Sequence, residues 1–316
     1  MSEDADVSCA DTTRSGWKRW FAWAPPRLAD WEGLVMRTAL AGVATMAAKM
    51  AADKALGYST QPEPTGLARL FDLTFLSDPS INHWSVVFFC LALPFYIAGI
   101  GLPVVIGWML WVQVGMASFC NSQGFIGHTT QVVSLVLLAQ WLASLWTLLP
   151  GRDGWRGLVT SSTRAMNLSM DWSRQTLAAC YVVSAICKVV ASGGLWIWKA
   201  PLFALQITKA NQMQFYSTLE PSPGNMAWLS QLLLDHPALA RIIIGSALPL
   251  ELFAFLMCFN RGVGAIYALL LVIFHSTVSE VMSLGFVFNK FLLLILCVNV
   301  PYWLWRWSQR CGDDLT

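Results

Sequence analysis

Long apolar segments separated by shorter polar ones are the dominant pattern along this chain of 316 residues. A helix needs about 20 predominantly apolar residues to cross a bilayer, and about eight segments of the chain come close to that length. They are Leu34–Ala52, Trp84–Gly99, Gly101–Phe119, His128–Leu149, Thr176–Trp198, Leu239–Cys258, Val263–Leu284 and Phe286–Trp305. The pattern predicts an all-α, polytopic transmembrane helical bundle of about eight spans.

The composition supports a membrane protein. Hydrophobic residues make up 56% of the chain and charged residues only 12%, with a mean hydropathy of +0.54. Soluble domains carry about 25% charged residues. We therefore expect a multi-pass integral protein of a plasma or inner membrane, surrounded by lipid and with no nucleic-acid partner. The predicted organisation is a polar N-terminal tail (residues 1–33), a transmembrane domain (34–305) and a short cytoplasmic tail (306–316).

The distribution of basic residues predicts the orientation of the bundle, because short cytoplasmic flanks carry the excess of lysine and arginine. Residues 150–173 are polar, and we predict a loop there that ends at Arg174. With an even number of spans and the N-terminus inside, one side collects most of the arginines: Arg14, Arg19, Arg27, Arg152, Arg156, Arg164, Arg174, Arg261, Arg306 and Arg310. Both termini are predicted to be cytoplasmic.

One lysine, Lys188, lies inside the apolar segment Thr176–Trp198. A charge at that depth is costly unless it has a partner or a water-filled cavity, so an intramembrane lysine is by default a candidate functional residue. Two interpretations stay open. In the first, Lys188 is a structural cation that reaches the membrane interface or pairs with Glu251 or Glu280. In the second, Lys188 is a desolvated amine that acts as a base or nucleophile.

Further ionisable and hydroxyl residues are predicted near the depth of Lys188. Tyr181, Ser184 and Lys188 recur at spacings of three and four, so they share one helix face that should look into the bundle. The other candidates are His128 at the start of its span, His275 with Ser279 and Glu280 on a later span, and Glu251 close after Pro249. No Cys/His pairing has zinc-ligand spacing, so no metal site is predicted.

Two stretches of the chain resemble a known family of membrane proteins. YVVSAICKVVASGGLWIWKAPLF and LPLELFAFLMCFNRGVGAIYALLLVIFHSTVSEVMSLGFVF are similar to segments of the horizontally transferred transmembrane (HTTM) family, which includes vitamin K-dependent γ-glutamyl carboxylase. A third stretch, IGHTTQVVSLVLLAQWLAS, resembles a family helix that opens with a histidine. Together the three matches extend over about residues 84 to 300.

The resemblance implies a function. In the carboxylase, a lysine removes a proton from vitamin K hydroquinone, whose reaction with O₂ then drives addition of CO₂ to a glutamate. By position, Lys188 matches that base, and His128 and His275 match histidines of the same site. The implied cofactor is vitamin K or menaquinone hydroquinone, with O₂ and CO₂ as co-substrates. Tyr181, Ser184, Glu251, Ser279 and Glu280 are the predicted cofactor-binding residues.

The length of the chain is similar to that of the short, membrane-only members of the family. That branch works with partner proteins in maturing secreted peptides, so a peptide or protein substrate and a partner protein are both implied. The sequence leaves an alternative open, in which the chain is a non-catalytic membrane partner in peptide maturation, export or immunity. A transporter is a third hypothesis, and no inverted repeat is visible in the sequence to support it.

Overall fold

The computed structural model describes residues 24–124, 127, 129–149, 152, 154, 156–219, 227–282 and 284–313. This part of the chain is helical, and its only strand-like feature is an isolated bridge between Ile100 and Thr160. The helices are α1 (Asp30–Ala55), α2 (Pro79–Ala98), α3 (Leu102–Asn121), α4 (Gln131–Thr147), α5 (Thr163–Ser192), α6 (Ala204–Thr218), α7 (Ala227–Asp235), α8 (Pro237–Ile243), α9 (Ala247–Leu252), α10 (Arg261–Met282), α11 (Val287–Leu293) and α12 (Val300–Asp313).

Shorter helical turns connect these elements. They are Gly66–Arg69, Thr74–Ser77, Arg156–Val159, Trp196–Lys199, Ala200–Phe203 and Ala254–Cys258. A π-helical turn, Leu294–Val298, joins α11 to α12.

Six helices are long and apolar enough to cross a membrane. They are Asp30–Ala55, Pro79–Ala98, Leu102–Asn121, Thr163–Ser192, Arg261–Met282 and Val287–Gln309. The all-helical membrane architecture is therefore as predicted, with about six candidate spans in the described residues.

The two remaining predicted spans differ from a simple crossing helix. The segment predicted as His128–Leu149 forms α4, which has 17 residues. In place of Leu239–Cys258 there are two apolar segments, Trp228–Asp235 and Pro237–Leu252, which meet at 109°. Pro237 lacks the N–H that would continue a helix and is favoured in a first turn, so it ends one helix and begins the next.

The α2–α3 hairpin follows from its turn sequence. Gly99 and Gly101 adopt φ values of +74° and +63°, a left-handed conformation that glycine enters without steric penalty. The Gly99 carbonyl accepts a hydrogen bond from Ser161 N at 2.9 Å, which fixes this turn beside the start of α5. The predicted spans Trp84–Gly99 and Gly101–Phe119 are thus present as an antiparallel pair of helices.

Helix α5 corrects the prediction of a loop over residues 150–173. It begins at Thr163, where Ser162 caps it by accepting a hydrogen bond from Ala165 N at 3.1 Å. The buried face continues at helical spacing through Met166, Met170 and Arg174. Arg174 is therefore a buried helical residue, whose Nε donates to the Leu296 carbonyl at 2.7 Å. The polar composition of this segment concealed its helical periodicity.

The predicted tails also extend into the structure. Residues 24–33, predicted as part of a polar tail, pack on the bundle, and Leu28 N donates to Asn167 Oδ1 at 2.7 Å. Residues 1–23 lie outside the described part of the chain. At the other terminus, α12 continues through the predicted tail boundary at residue 306 as far as Asp313.

A buried cluster of charges holds one end of the bundle, which we call the Glu32 end. The two terminal nitrogens of the Arg261 guanidinium, Nη1 and Nη2, donate to the Glu32 carboxylate at 2.6 and 3.0 Å. Asn299 Nδ2 donates to the same carboxylate at 2.9 Å, and the Arg261 guanidinium lies 3.9 Å from the centroid of the Tyr302 ring. The cluster joins α1, α10 and the turn before α12.

Replacing Glu32 with alanine should destabilise the protein strongly. The change leaves the Arg261 charge and the Asn299 amide without their buried acceptor, at a cost of roughly 3 kcal/mol. Unfolding of the purified protein in detergent would measure the loss. Asp53→Ala is the matched control, because Asp53 forms an exposed ion pair with Lys49 one turn away, and such pairs contribute about 0.5 kcal/mol. Equal losses in the two variants would contradict the assigned role of the cluster.

Candidate functional site

A buried carboxylate receives the Lys188 side chain. Lys188 Nζ donates to Glu251 Oε2, and Ser184 Oγ donates to the same oxygen at 3.2 Å. The Lys188 side chain is 25% exposed, whereas that of Glu251 is 6% exposed. Of the partners predicted for a structural lysine, Glu251 is in contact with Lys188, while Glu280 is exposed on the surface of α10.

The irregular backbone between α8 and α10 places Glu251 at this position. Helix α9 is six residues long and is followed by a tight turn, so Glu251 lies on a short element rather than within a continuous span. Tyr267 of α10 donates its hydroxyl to the Leu250 carbonyl at 2.7 Å. That bond fixes the short helix next to the carboxylate.

A second hydrogen-bonded group lies one turn further along the same face of α5. The Tyr181 oxygen and His275 Nε2 are 2.8 Å apart, and Asn289 Nδ2 donates to the Tyr181 oxygen at 3.5 Å. Tyr181 and His275 are both buried. Lys188 is within electrostatic range of the His275 ring, as Glu251 is of Tyr181. The two groups therefore belong to one site on the face predicted from the spacing in α5.

The contacts of Tyr181 favour one tautomer of His275. Asn289 Nδ2 can only donate, so the Tyr181 hydroxyl hydrogen needs an acceptor elsewhere. Among the described contacts of this hydroxyl, the acceptor is His275 Nε2. With this arrangement of donors, the contacts favour neutral His275 with its proton on Nδ1, where the N–H could bond a ligand.

Several buried polar atoms around the site have no hydrogen-bond partner within the described structure. They are His275 Nδ1, Ser279 Oγ and Trp196 Nε1. Buried polar groups in folded proteins are almost always paired, so an unpaired group requires an explanation such as a ligand or an ordered water. His275 and Ser279 are four residues apart on α10 and thus share one face.

Aromatic rings form the walls of the site. The Phe286 ring lies 4.5 Å from the His275 ring, centroid to centroid, and Lys188 Nζ lies 5.4 Å from the centroid of the Trp196 ring. Phe286 belongs to the turn between α10 and α11, and Trp196 to the short turn after α5. Flat apolar walls with a few polar atoms are typical of sites for small organic ligands.

The structure brings together most of the predicted site residues. Lys188, Ser184 and Glu251 are in direct contact, Tyr181 bonds His275, and Ser279 shares a face with His275. His128 lies outside the described residues, so its predicted place in the site has no structural counterpart here. Glu280 lies on the exposed side of α10.

Three residues of the site were not predicted from the sequence: Trp196, Phe286 and Asn289. The sequence carries no signal for Trp196, because the chain has 17 tryptophans and position alone does not distinguish one. Asn289 had a usable signal, since it is an amide within an apolar segment, where polar residues mark internal contacts.

No group of three or more histidine, cysteine, aspartate or glutamate side chains suited to a metal ion occurs among the described residues. The arrangement is thus one of a lysine, a carboxylate and hydrogen-bonding side chains beside the Phe286 and Trp196 rings. It is suited to holding an oxygen-containing ligand and moving a proton.

Comparison with known proteins identifies no relative. No protein-family model, no curated protein and no solved structure matches the chain. The case for a function therefore depends on the residues and geometry of the site.

The Tyr181 contacts predict the Nδ1–H tautomer for His275. Nitrogen NMR of histidine-labelled protein, with the signal assigned through a His275→Gln variant, should show a protonated Nδ1 and an unprotonated Nε2. Tyr181→Phe removes the hydroxyl that fixes this state, so the signal should shift toward a mixture of tautomers, with a loss of about 1–2 kcal/mol of stability. The exposed Tyr216 serves as the control, because Tyr216→Phe should leave both unchanged. A protonated Nε2 in the unmodified protein would refute the assignment.

Proposed function

We propose that the chain is an integral membrane enzyme in which Lys188, paired with Glu251, takes a proton from a quinol. The observation that carries this proposal is the contact of Lys188 with the buried Glu251 carboxylate, on the same face of α5 as Tyr181, which bonds His275. The site then combines a proton acceptor with a hydrogen-bonding histidine. Both are needed to deprotonate a weakly acidic hydroxyl away from water.

The residues of the site fit a quinol. Phe286, Tyr181 and Trp196 provide aromatic surface for a flat ring, and the unpaired polar atoms of His275 and Ser279 can bond its oxygens. When bound, a quinol would supply a phenolic hydroxyl whose deprotonated form reacts with O₂. Vitamin K hydroquinone and menaquinol are the compounds implied by the family resemblance.

Lys188 and Glu251 act as one proton-accepting unit. Lys188 enters the reaction as a neutral amine beside the Glu251 carboxylate, takes the quinol proton and becomes the ammonium of the Lys188–Glu251 ion pair. Ser184 holds the shared carboxylate oxygen. His275 donates its Nδ1–H to the oxygen that loses its proton, while Tyr181 and Asn289 are positioning residues that hold the ring in the required tautomer.

The modified substrate is proposed to be a peptide or protein at the outer face of the membrane. This orientation is supported by the arginines at the Glu32 end, which include Arg152, Arg156, Arg164 and Arg261. Lys188 lies near the opposite end of α5. A cysteine introduced at exposed Ser59 tests the orientation, because an impermeant maleimide should label it from outside intact cells. Labelling only after the cells are opened would reverse the proposed orientation.

The proposed role of Lys188 predicts a selective loss of quinol oxidation. With the protein in nanodiscs, O₂-dependent consumption of vitamin K hydroquinone or menaquinol should exceed that of empty nanodiscs. Lys188→Met and Lys188→Arg should each lower the rate at least about 100-fold, because methionine has no amine and arginine stays protonated and cannot accept a proton. The control is Lys199→Met, since Lys199 donates to the Ser192 carbonyl outside the site.

A double variant separates this role from a structural ion pair. Buried ion pairs are often replaced by apolar residues with little loss of stability. Lys188→Met combined with Glu251→Met should therefore stay folded and still be inactive. Full quinol oxidation in the double variant, or none in the unmodified protein, would overturn the proposal.

A further inference from the structure

A separate apolar groove runs between α3 and α4. Its volume is about 800 Å³, and Leu110, Val114, Leu138 and Trp141 form much of its surface. It shares no residue with the Lys188 site, and no charged side chain is among the residues that line it. The groove therefore requires its own explanation.

The polar atoms of the groove are concentrated at one end. Thr65, Ser118, Asn121 and Gln131 lie there, at the end of α3 and the start of α4. Ser118 Oγ accepts a hydrogen bond from Leu67 N at 3.2 Å, and Asn121 Oδ1 accepts one from Gly127 N at 2.9 Å, so these side chains are held in place. All of these groups are uncharged hydrogen-bonding groups.

The opposite end of the groove is closed by a fixed indole ring. Trp141 Nε1 donates to the Pro103 carbonyl at 2.8 Å. Gly107 makes room for the ring, because a Cβ at this position would lie 2.9 Å from Trp141 Nε1. From Gly107 to Asn121, α3 rises about 21 Å at 1.5 Å per residue. This length exceeds the roughly 15 Å of hydrocarbon in one leaflet.

We propose that the groove binds a long-chain lipid with an uncharged, hydroxyl-bearing headgroup. The apolar length accommodates the chain, and the serine, threonine and asparagine groups at the polar end bond the headgroup. A charged headgroup would lose hydration there and find no counter-charge among the lining residues, which costs far more than burying a hydrogen-bonded hydroxyl. The proposal is independent of the quinol reaction.

Photolabelling with a diazirine derivative of hexadecanol tests the proposal. In nanodiscs, the label should concentrate on peptides of α3 and α4, and unlabelled hexadecanol should compete at least about 10-fold better than palmitate or dipalmitoyl phosphatidylcholine. Leu138→Trp fills the groove and should lower labelling of these peptides at least about 10-fold. Leu142→Trp is the control, since Leu142 is exposed on the same helix but does not line the groove.

Val114→Trp fills the groove from the facing helix and provides a second variant if Leu138→Trp folds poorly. It should give the same loss of labelling. Equal competition by the three lipids, or equal labelling of other lipid-facing helices, would show that bulk lipid occupies the groove and would overturn the proposal. Quinol consumption is measured in a separate assay on the Lys188 variants, so failure of either proposal leaves the other intact.

Discussion

The contact between Lys188 and Glu251 is the constraint on which the proposed site depends. A lysine within an apolar span has to find its partner inside the bundle, because lipid offers none. Here the partner comes from α9, the short helix at the end of the segment Pro237–Leu252, and α9 is in turn held by the Tyr267 hydroxyl. The irregular backbone between α8 and α10 thus brings the Glu251 carboxylate to the polar face of α5.

The same requirement shapes the other end of the bundle. Arg261 and Asn299 both donate to the Glu32 carboxylate there, and Arg174 donates to a carbonyl of the π-helical turn, where the regular helical pairing is interrupted. Such turns often occur at functional sites; here the turn supplies an acceptor to a buried cation. At the Lys188 end, by contrast, an ion pair lies near buried polar atoms that have no partner among the described residues, such as His275 Nδ1 and Ser279 Oγ.

The sequence was sufficient to predict the helical membrane class, the separate spans of α2 and α3, and the polar face of Tyr181, Ser184 and Lys188, because each depends on local periodicity. It was insufficient where the outcome depends on distant contacts. The bend at Pro237 and the pairing of Asn289 with Tyr181 are set by tertiary packing. The helical start of α5 was missed because polar composition outweighed its periodicity, although Ser162 is a typical capping residue.

The most direct test of the central claim is protection of Lys188 from acylation by a bound quinol. The protein in nanodiscs would be treated with a small amine-acylating reagent, and labelling of each lysine measured by mass spectrometry with and without reduced menaquinol. We expect the quinol to lower labelling of Lys188 several-fold while leaving exposed Lys54 and Lys199 unchanged, because the ligand covers the open side of the Lys188–Glu251 pair. Equal labelling of Lys188 in both samples would contradict a quinol site and leave the pair as a structural feature of the bundle.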